Sequence, residues 1–235
     1  MPAEAAAGPP REGSPRPLEA LTPKGRRTRA ALLASARVVF AQSGFAESRV
    51  ADISRVAGVA HGTFYTYFSS KEDVLHAVMS ELQHAMTTQR AVNQARLDPL
   101  AGIEAAHRHY LRMYRANADL LATLEQVGFL SGELKELRRE YRRFYVERTA
   151  RAIQRWQDAG LADRALNATY AASALGNMVD RFAYVWFVLG EEFNEDVAVA
   201  TLTRLWGQAL GLDHAPTPAP LRRRPRGGAS IDVPT

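Results

Sequence analysis

Residues 50–68, VADISRVAGVAHGTFYTYF, read as two short helices separated by Gly58. Two short helices joined by a turn of three or four residues that contains glycine form the helix-turn-helix pattern. The apolar residues of this stretch are spaced so that the pair can pack onto a preceding helix. They are Val50, Ile53, Val56, Ala57, Val59, Phe64 and Phe68. The stretch therefore predicts a helix-turn-helix unit.

The second helix of this pair leaves polar and small residues for its outward side, where a core would need leucines. These residues are Ala60, His61, Thr63, Tyr65, Thr66 and Tyr67. Hydroxyl and imidazole groups suit the base edges and phosphate oxygens of nucleic acid. A single tyrosine also fits a half-buried amphipathic position, so the prediction depends on the combined pattern. Gly62 lowers helix propensity, which is sensible where a backbone must approach a partner closely.

The formal net charge of +5 is concentrated towards the ends of the chain. Between Lys24 and His76 eight basic side chains accompany four acidic ones, whereas residues 77–212 carry 16 of each. A basic segment beside a neutral body suggests contact with a polyanion. A solvated basic surface explains the same charges, so charge alone leaves both interpretations open.

Helical periodicity continues beyond this stretch in both directions, and strand alternation is not convincing anywhere. The pattern predicts nine helices and an all-α fold. The predicted helices span about 24–42, 49–57, 60–67 and 69–96, then one begins at Asp98 and others span about 118–127, 133–158, 164–189 and 195–210. The predicted N-caps are Ser48, Ser69, Asp98, Asn117, Asp163 and Asn194, with Ser69 and Glu72 as a capping box. Gly44 and Gly211 are predicted helix stops.

The two ends of the chain are rich in proline, alanine and glycine and lack periodicity. Residues 1–22 and 213–235 are therefore predicted to be disordered tails. The basic run RRRPR at 222–226 either touches phosphates or is a solvated tail. Between the tails we expect a helix-turn-helix domain at 23–70 and a larger helical domain at 71–212.

Composition and motifs argue against several classes of function. The chain has no cysteine, which excludes disulfides and cysteine-based zinc sites and fits a reducing cytosol. The stretch MPAEAAAGPPREG has no apolar segment, so we do not expect it to be a secretory signal. No apolar run approaches roughly 18 residues, so we expect no membrane span and a cytoplasmic location. His107 and His109 point apart on a helix and make a poor metal pair. No phosphate-binding, dinucleotide or nucleophile-elbow motif is present, so we expect no catalytic residues, cofactor or metal.

Residues 26–76 resemble the N-terminal domain of the TetR family of bacterial transcription regulators. The matching motifs are A-x-x-x-F-A-x-x-G-F at 36–45, V-x-D-I-x-x-x-A-G-V at 50–59, G-T-F-Y-x-Y-F at 62–68 and S-K-E-D-V-L at 70–75. The resemblance implies a nine-helix TetR-like fold and a homodimer whose third helices enter successive major grooves of a palindromic DNA operator. It also implies a repressor that a small-molecule effector releases, with activation as the alternative.

The resemblance also assigns roles by position in the N-terminal domain. His61, with Ala60 and Gly62, is implied to read bases, and Lys71 to contact a phosphate. Arg49 replaces a residue that is often threonine or serine in the family, so it either adds a DNA contact or is a solvated side chain. The full set of DNA-binding residues expected is Arg26, Arg27, Arg49, Ala60, His61, Gly62, Thr63, Tyr65, Tyr67 and Lys71.

The larger domain is implied to bind the effector and to form the dimer through its last two helices, about 164–210. These helices are apolar on more than one face, which favours a four-helix bundle between subunits, although an intramolecular core is the alternative. Asn177, Asp180, Arg181 and Tyr184 share one helix face. Asp180 and Arg181 either line a pocket or pair with charges on neighbouring helices. The pocket residues expected are Tyr110, Tyr114, Glu125, Asn177, Arg181 and Tyr184.

The many aromatic and aliphatic residues of this domain favour an apolar effector, such as a lipid, an acyl thioester or an aromatic drug. A helical adaptor that binds protein through the aromatic eighth helix is the competing function. The glycine turn, the capping box and the basic bias of the first domain favour DNA binding over this alternative.

Overall fold

The computed structural model describes residues 18–86, 98–127 and 132–212. Within these residues every regular element is a helix, which confirms the all-α prediction. A 3-10 turn, Leu18–Ala20, precedes α1 (Pro23–Glu47), α2 (Val50–Val56), α3 (His61–Phe64), α4 (Lys71–Ala85), α5 (Pro99–Ala116), α6 (Ala118–Val127), α7 (Gly132–Asp158), α8 (Ala168–Phe187) and α9 (Glu195–Leu210). Residues 18–22, the end of the first predicted tail, are structured: Leu18–Ala20 form the 3-10 turn, Leu21 is buried and Thr22 caps α1. The rest of that tail, the second tail and the predicted extension of the fourth helix to residue 96 lie outside the described residues.

Helices α1, α2 and α3 form the N-terminal unit around a few fully buried side chains. Ile53 of α2 and Phe64 of α3 are completely buried, and the Phe64 and Phe68 rings lie 5.7 Å apart beneath α3. Leu32 and Phe40 of α1 belong to the same buried cluster. Val56, which the sequence analysis placed in this core, is the last residue of α2 and is 41% exposed, so it is not part of the core.

Two glycines set the course of the chain through this unit. Gly44 has a φ of 70°, which interrupts the helical geometry of α1 three residues before the helix ends. Gly58 has a φ of 67° and forms the turn between α2 and α3. Only glycine adopts this left-handed conformation without strain. Both predicted breaks are therefore present.

The structure corrects the capping box predicted at the start of α4. Ser70, not Ser69, is the N-cap, and its hydroxyl accepts a hydrogen bond from the Asp73 backbone N–H at 3.0 Å. The Asp73 carboxylate in turn accepts from the Ser69 backbone N–H at 2.8 Å. The reciprocal pair is thus shifted by one residue, and Glu72 takes no part in it.

The other predicted caps divide into two groups. Asp98 and Asn194 cap α5 and α9 as predicted, each accepting from a backbone N–H at 3.1 Å. Ser48, Asn117 and Asp163 do not cap the helices that follow them, because their side chains have other partners. The Ser48 hydroxyl donates to the Phe45 carbonyl, the Asn117 amide bonds Met113 and Arg37, and Asp163 accepts from Ala165.

The N-terminal unit and the larger domain share one continuous core. Helix α4 packs against α1 and against α7, and α1 also packs against α6. In the larger domain α7 packs along α8, while α5 lies against α8 and α9. None of the described helices combines the length and apolar character needed to cross a bilayer.

Replacing Gly58 by alanine is expected to lower the free energy of unfolding by about 1–2 kcal/mol, because an alanine pays the steric cost of the left-handed conformation. Gly62 is the matched control, since its φ is not positive and an added Cβ meets no atom within 4 Å. Gly62→Ala is therefore expected to raise stability slightly, through better helix propensity. Denaturant unfolding of both variants measures the difference, and equal stabilities would contradict the role given to Gly58.

Candidate nucleic-acid interface and ligand cavity

Helix α3 combines a buried anchor with an exposed polar side. Phe64 and Phe68 hold the segment against the core, while Ala60, His61 and Gly62 are exposed at its start. Tyr65 is also exposed, and Thr63, Thr66 and Tyr67 are half-buried. The residues expected to read DNA therefore lie at the surface.

The exposed side chains of α3 are held by ring contacts. The His61 and Tyr65 rings meet edge to face at 5.5 Å, and the Tyr65 and Phe64 rings at 5.4 Å. Such contacts favour defined ring orientations. The imidazole and the phenol are therefore presented together, on top of the buried Phe64.

The start of α1 lies beside α3 and widens the exposed surface. Thr22, which caps α1, and Lys24 and Thr28 of α1 line a groove together with Thr63 and Tyr67. The groove is thus bordered by hydroxyl groups from both helices and by one lysine. A polar, basic groove of this kind suits a phosphate backbone.

The arginines expected to touch DNA differ in their surroundings. Arg27 is exposed, and Arg49 is the exposed N-cap residue of α2 with no capping bond from its side chain. Arg26 is exposed as well, but its guanidinium donates to the Leu21 carbonyl at 2.6 Å. This bond ties the 3-10 turn segment to α1.

Lys71 occupies a different environment from the predicted phosphate contact. Its ammonium donates to the carbonyls of Phe45 at 2.6 Å, Ser48 at 2.9 Å and Ala46 at 3.3 Å, and lies 4.3 Å from the Phe45 ring centroid. An ammonium has three N–H donors, and here all three have carbonyl acceptors. The carbonyls lie at the end of α1, where the helix dipole attracts a cation. Lys71 therefore fastens the start of α4 to the turn before α2.

The opposite end of α4 is fastened to the larger domain. The Tyr141 hydroxyl of α7 donates to the Met86 sulfur at 3.2 Å, and His109 Nε2 of α5 lies 3.1 Å from the Ala85 carbonyl oxygen. Gln83 donates to the Tyr141 carbonyl at 3.4 Å. Helix α4 is thus attached at both ends, to the helix-turn-helix at one and to α5 and α7 at the other.

A cavity of about 640 Å³ lies among α5 to α9 and reaches Met86 at the end of α4. Its volume falls in the range typical of small-molecule sites. Four of the predicted pocket residues line it, namely Tyr110, Tyr114, Glu125 and Asn177. Arg181 and Tyr184 are not among its lining residues, because the Arg181 guanidinium turns back over the Tyr184 ring at 4.6 Å.

One wall of the cavity is a cluster of tyrosines. The Tyr110 ring lies 5.8 Å from the Tyr114 ring and 6.4 Å from the Tyr145 ring, and the Tyr141 and Tyr145 rings are 5.1 Å apart. Burial raises the pKa of Tyr110 and Tyr141 well above the ordinary value, and that of Tyr145 to about 12. The phenols are therefore neutral at physiological pH.

Asp180 is one of two acids that line this cavity, and it is half-buried. The Tyr110 hydroxyl donates to its carboxylate at 2.7 Å, and no arginine forms an ion pair with it among the described residues. Arg138 and Arg181 act on Asp180 only at longer range and lower its pKa, so the predicted arginine partner does not form an ion pair with it. Burial raises the pKa of Asp180, and the nearby Glu125 adds to this, while the hydrogen bond from Tyr110 opposes it.

Cations from α7 also line the cavity, and none of them is among the pocket residues expected from the sequence. They are Lys135, Arg138, Arg139, Arg142 and Arg148. Arg138 pairs with Glu125 at 2.5 Å, and Arg142 donates to Ser173 at 2.7 Å and to Asn177 at 3.3 Å. The outward face of α7 is solvated, as Arg143 pairs with Glu136 there. The tyrosine pair at 141 and 145, spaced i, i+4, was the signal that one side of this helix is buried.

His107 and Trp206 also line the cavity, although neither is among the pocket residues expected from the sequence. His107 Nδ1 lies 3.2 Å from the Thr203 hydroxyl, and the imidazole meets the Trp206 ring edge to face at 5.1 Å. Burial lowers the pKa of His107 to about 4, so the imidazole is neutral. His107 and His109 face different helices, and no group of three metal-binding side chains occurs within the described ranges.

Comparison with known proteins gives a consistent result. Residues 32–78 match the family model described as bacterial regulatory proteins, tetR family. A relative, the HTH-type transcriptional regulator EthR of Mycolicibacterium smegmatis, is 28% identical over 198 residues, covering 79% of this chain and 90% of that protein.

Two solved structures show the same fold. One, from Rhodococcus sp. and described as a TetR-family transcriptional regulator, has a TM-score of 0.68 at 19% identity and covers 79% of this chain and 99% of its own. The other, the transcriptional regulator FadR from Bacillus subtilis in complex with stearoyl-CoA, has a TM-score of 0.66 at 18% identity and covers 75% and 96%. The helical architecture of both domains is thus shared with these regulators.

Replacing Lys71 by methionine is expected to lower the free energy of unfolding by about 1–3 kcal/mol, because three carbonyls lose a charged donor. The salt dependence of DNA binding is expected to keep its slope, since this ammonium faces carbonyls and not the duplex. Arg27→Met is the matched control, with unchanged stability and a flatter salt slope. A flatter slope for Lys71→Met, at unchanged stability, would restore the predicted phosphate contact.

Replacing His107 by phenylalanine is expected to make stability less sensitive to acid. The folded pKa of about 4 lies below the ordinary value of 6.5, so between these values the unfolded chain binds more protons. The stability of the native protein therefore falls as pH drops below 6.5, by about 2 kcal/mol at pH 5 from this group. Denaturant unfolding between about pH 7 and pH 5 measures the loss. An equal loss in the variant would show that His107 is not its source.

Proposed function

Because this chain belongs to the TetR family of bacterial regulatory proteins, it is a DNA-binding transcriptional regulator, and we propose that it represses by binding a palindromic operator as a homodimer. An effector in the cavity would release the DNA. The observation that carries this proposal is helix α4, which is bonded to the helix-turn-helix through Lys71 and to cavity-lining Tyr141 through Met86.

The exposed side of α3 supports the DNA-reading part of the proposal. His61 and Tyr65 present hydrogen-bonding groups at the surface, and Gly62 has open space where a side chain would lie. Nothing inside the protein requires glycine at 62, because its backbone is helical and unhindered. Close approach of a duplex supplies a reason, since a Cβ there would stand between the helix and the base edges.

The homodimer is supported by apolar side chains exposed on the last two helices and their connection. Tyr170 of α8 is 78% exposed and Val197 of α9 is 64% exposed, and Leu189, Phe193 and Leu205 are exposed as well. Clusters of large exposed apolar side chains mark interaction surfaces. A two-fold interface through α8 and α9 would cover them and would set the spacing of two α3 helices at about 34–36 Å, one helical repeat of DNA.

The cavity supports an amphipathic effector. Its tyrosine and aliphatic walls suit an apolar chain, and the cations of α7 suit an anionic head group. FadR from Bacillus subtilis is described in complex with stearoyl-CoA, a molecule with this combination. For this chain we take an acyl thioester or a similar apolar anion as the effector class.

Effector binding would act through the bonds at the end of α4. A ligand that moves Tyr141 or His109 displaces Met86 and Ala85, and α4 carries this movement to the turn before α2 through Lys71. The distance between the two α3 helices of a dimer then departs from the operator repeat. Effector binding therefore weakens DNA binding, and DNA binding weakens effector binding by the same factor.

The helical adaptor remains the competing function, since the exposed residues of α8 and α9 would also suit a protein partner. An adaptor has no need for the polar side of α3 or for the open space at Gly62. A cytoplasmic location accompanies the proposed role as a regulator.

His61→Ala and Tyr65→Ala are each expected to weaken binding to the DNA that flanks the protein's own gene by about 5- to 150-fold, since each removes a polar contact worth roughly 1–3 kcal/mol. Gly62→Ala is expected to weaken it as well, although the protein is at least as stable. Gel shifts against a scrambled duplex measure these effects.

Gln42→Ala, an exposed substitution on α1 away from α3, is the control and is expected to bind like the native protein. Loss of binding in the α3 variants has to occur without loss of helical signal in circular dichroism. An adaptor would give no specific shift, and none of the α3 substitutions would then matter.

A further inference from the structure

Buried polar side-chain atoms without a hydrogen-bond partner are rare among the described residues. Three occur, on Ser54, His107 and Trp206, and the last two belong to residues that line the same cavity. His107 is 4% exposed and Trp206 is 8% exposed. An unmade hydrogen bond in a buried place is unfavourable, so such groups usually have a partner. Two of them on one cavity indicate that the partner comes from the cavity.

The hydrogen-bonding character of the two nitrogens follows from their surroundings. The indole nitrogen of Trp206 is a donor only. His107 Nδ1 faces the Thr203 hydroxyl at 3.2 Å, which leaves Nε2 as the ring nitrogen without a partner. A threonine hydroxyl donates or accepts, so Nε2 of the neutral imidazole can take either role.

The donor and acceptor roles of the two nitrogens determine which kind of group His107 and Trp206 would bind. The group has to accept a hydrogen bond from Trp206, which excludes an ammonium. A carboxylate is unfavourable here, because it would be buried beside a neutral imidazole. The lysine and arginine residues that line the cavity all lie on α7 and do not neutralise it. A hydroxyl or carbonyl oxygen has the hydrogen-bonding character that both nitrogens need, and the rings that carry them have centroids 5.1 Å apart.

We propose that His107 and Trp206 form a subsite for an uncharged hydroxyl or carbonyl oxygen, carried on the apolar part of the effector. This inference rests on the proposed function of the cavity as the effector site and narrows its ligand class. The effector then has polar groups at two places, an anionic head beside α7 and a neutral oxygen between α5 and α9. A hydroxy- or oxo-substituted acyl group has this chemistry.

A direct test uses the neutral alcohol octanol and the indole N–H resonance of Trp206 in nitrogen-15-labelled protein, assigned with Trp206→Phe. Octanol is expected to shift this resonance with saturation, and to lose most of this effect in His107→Phe, where the ring shape is kept and Nε2 is removed. Trp186→Phe, on α8 and outside the cavity, is the matched control and is expected to leave the response unchanged. An indole resonance that does not move with octanol overturns the subsite.

A second test compares hexadecanoyl-CoA with hexadecanoyl-CoA that carries a hydroxyl at a series of chain positions. At one position the hydroxyl is expected to strengthen binding about tenfold, because two buried groups gain a partner. His107→Phe and Trp206→Phe are each expected to abolish this preference, so that each variant binds the hydroxylated and the unsubstituted thioester equally. Equal affinities across the series in the native protein overturn the subsite.

The same samples separate failure of the subsite from failure of the proposed function. If acyl-CoA probes release the operator but the hydroxyl makes no difference, the regulator stands and the subsite is wrong. If octanol shifts the Trp206 resonance but no probe releases the operator, the subsite stands and the effector mechanism is wrong.

Discussion

The buried stripe of α4 is the constraint on which both candidate sites depend. Val74, Leu75, Val78, Met79 and Leu82 are all 1% exposed or less, because α1 covers one side of this helix and α7 the other. A close-packed stripe transmits displacement and resists local adjustment. A displacement that begins at the cavity reaches α4 through the bond at Met86, and α4 passes it to the helix-turn-helix through the bonds of Lys71. A loop in place of α4 would leave the two sites independent.

Sequence periodicity predicted the N-terminal unit well because its determinants are local. The apolar spacing of Ile53, Phe64 and Phe68 and the left-handed turn at Gly58 suffice to define two helices and their buried side. Exact caps could not be predicted, since serine stands at both 69 and 70 and the choice depends on where Phe68 is held. Asn117 likewise bonds Arg37, a residue 80 positions away that no local pattern relates to it.

The cavity was harder to predict because it is built by contacts between distant helices. The sequence analysis predicted four of the lining residues, namely Tyr110, Tyr114, Glu125 and Asn177. It did not predict Tyr141 and Tyr145, which are half-buried and lie among many charged residues on α7. Long basic side chains place an aliphatic stem against apolar surface while the charge stays at the edge, so charge density is a poor guide to exposure. His107 and Trp206 are 99 positions apart in the chain and meet only through packing of α5 on α9.

The cavity carries groups that make the unliganded fold less stable than an apolar core would be. Burial disfavours the ionised form of Asp180 and so raises its pKa, and burial disfavours the protonated form of His107 and so lowers its pKa. The unpaired nitrogens of His107 and Trp206 add to this. A core selected only for stability would replace such groups with aliphatic side chains. In the proposed regulator these groups have a function. A ligand that completes their hydrogen bonds binds one arrangement of the helices better than another. Only such a difference in affinity shifts the equilibrium between the arrangements, and α4 transmits that shift to the DNA-binding unit.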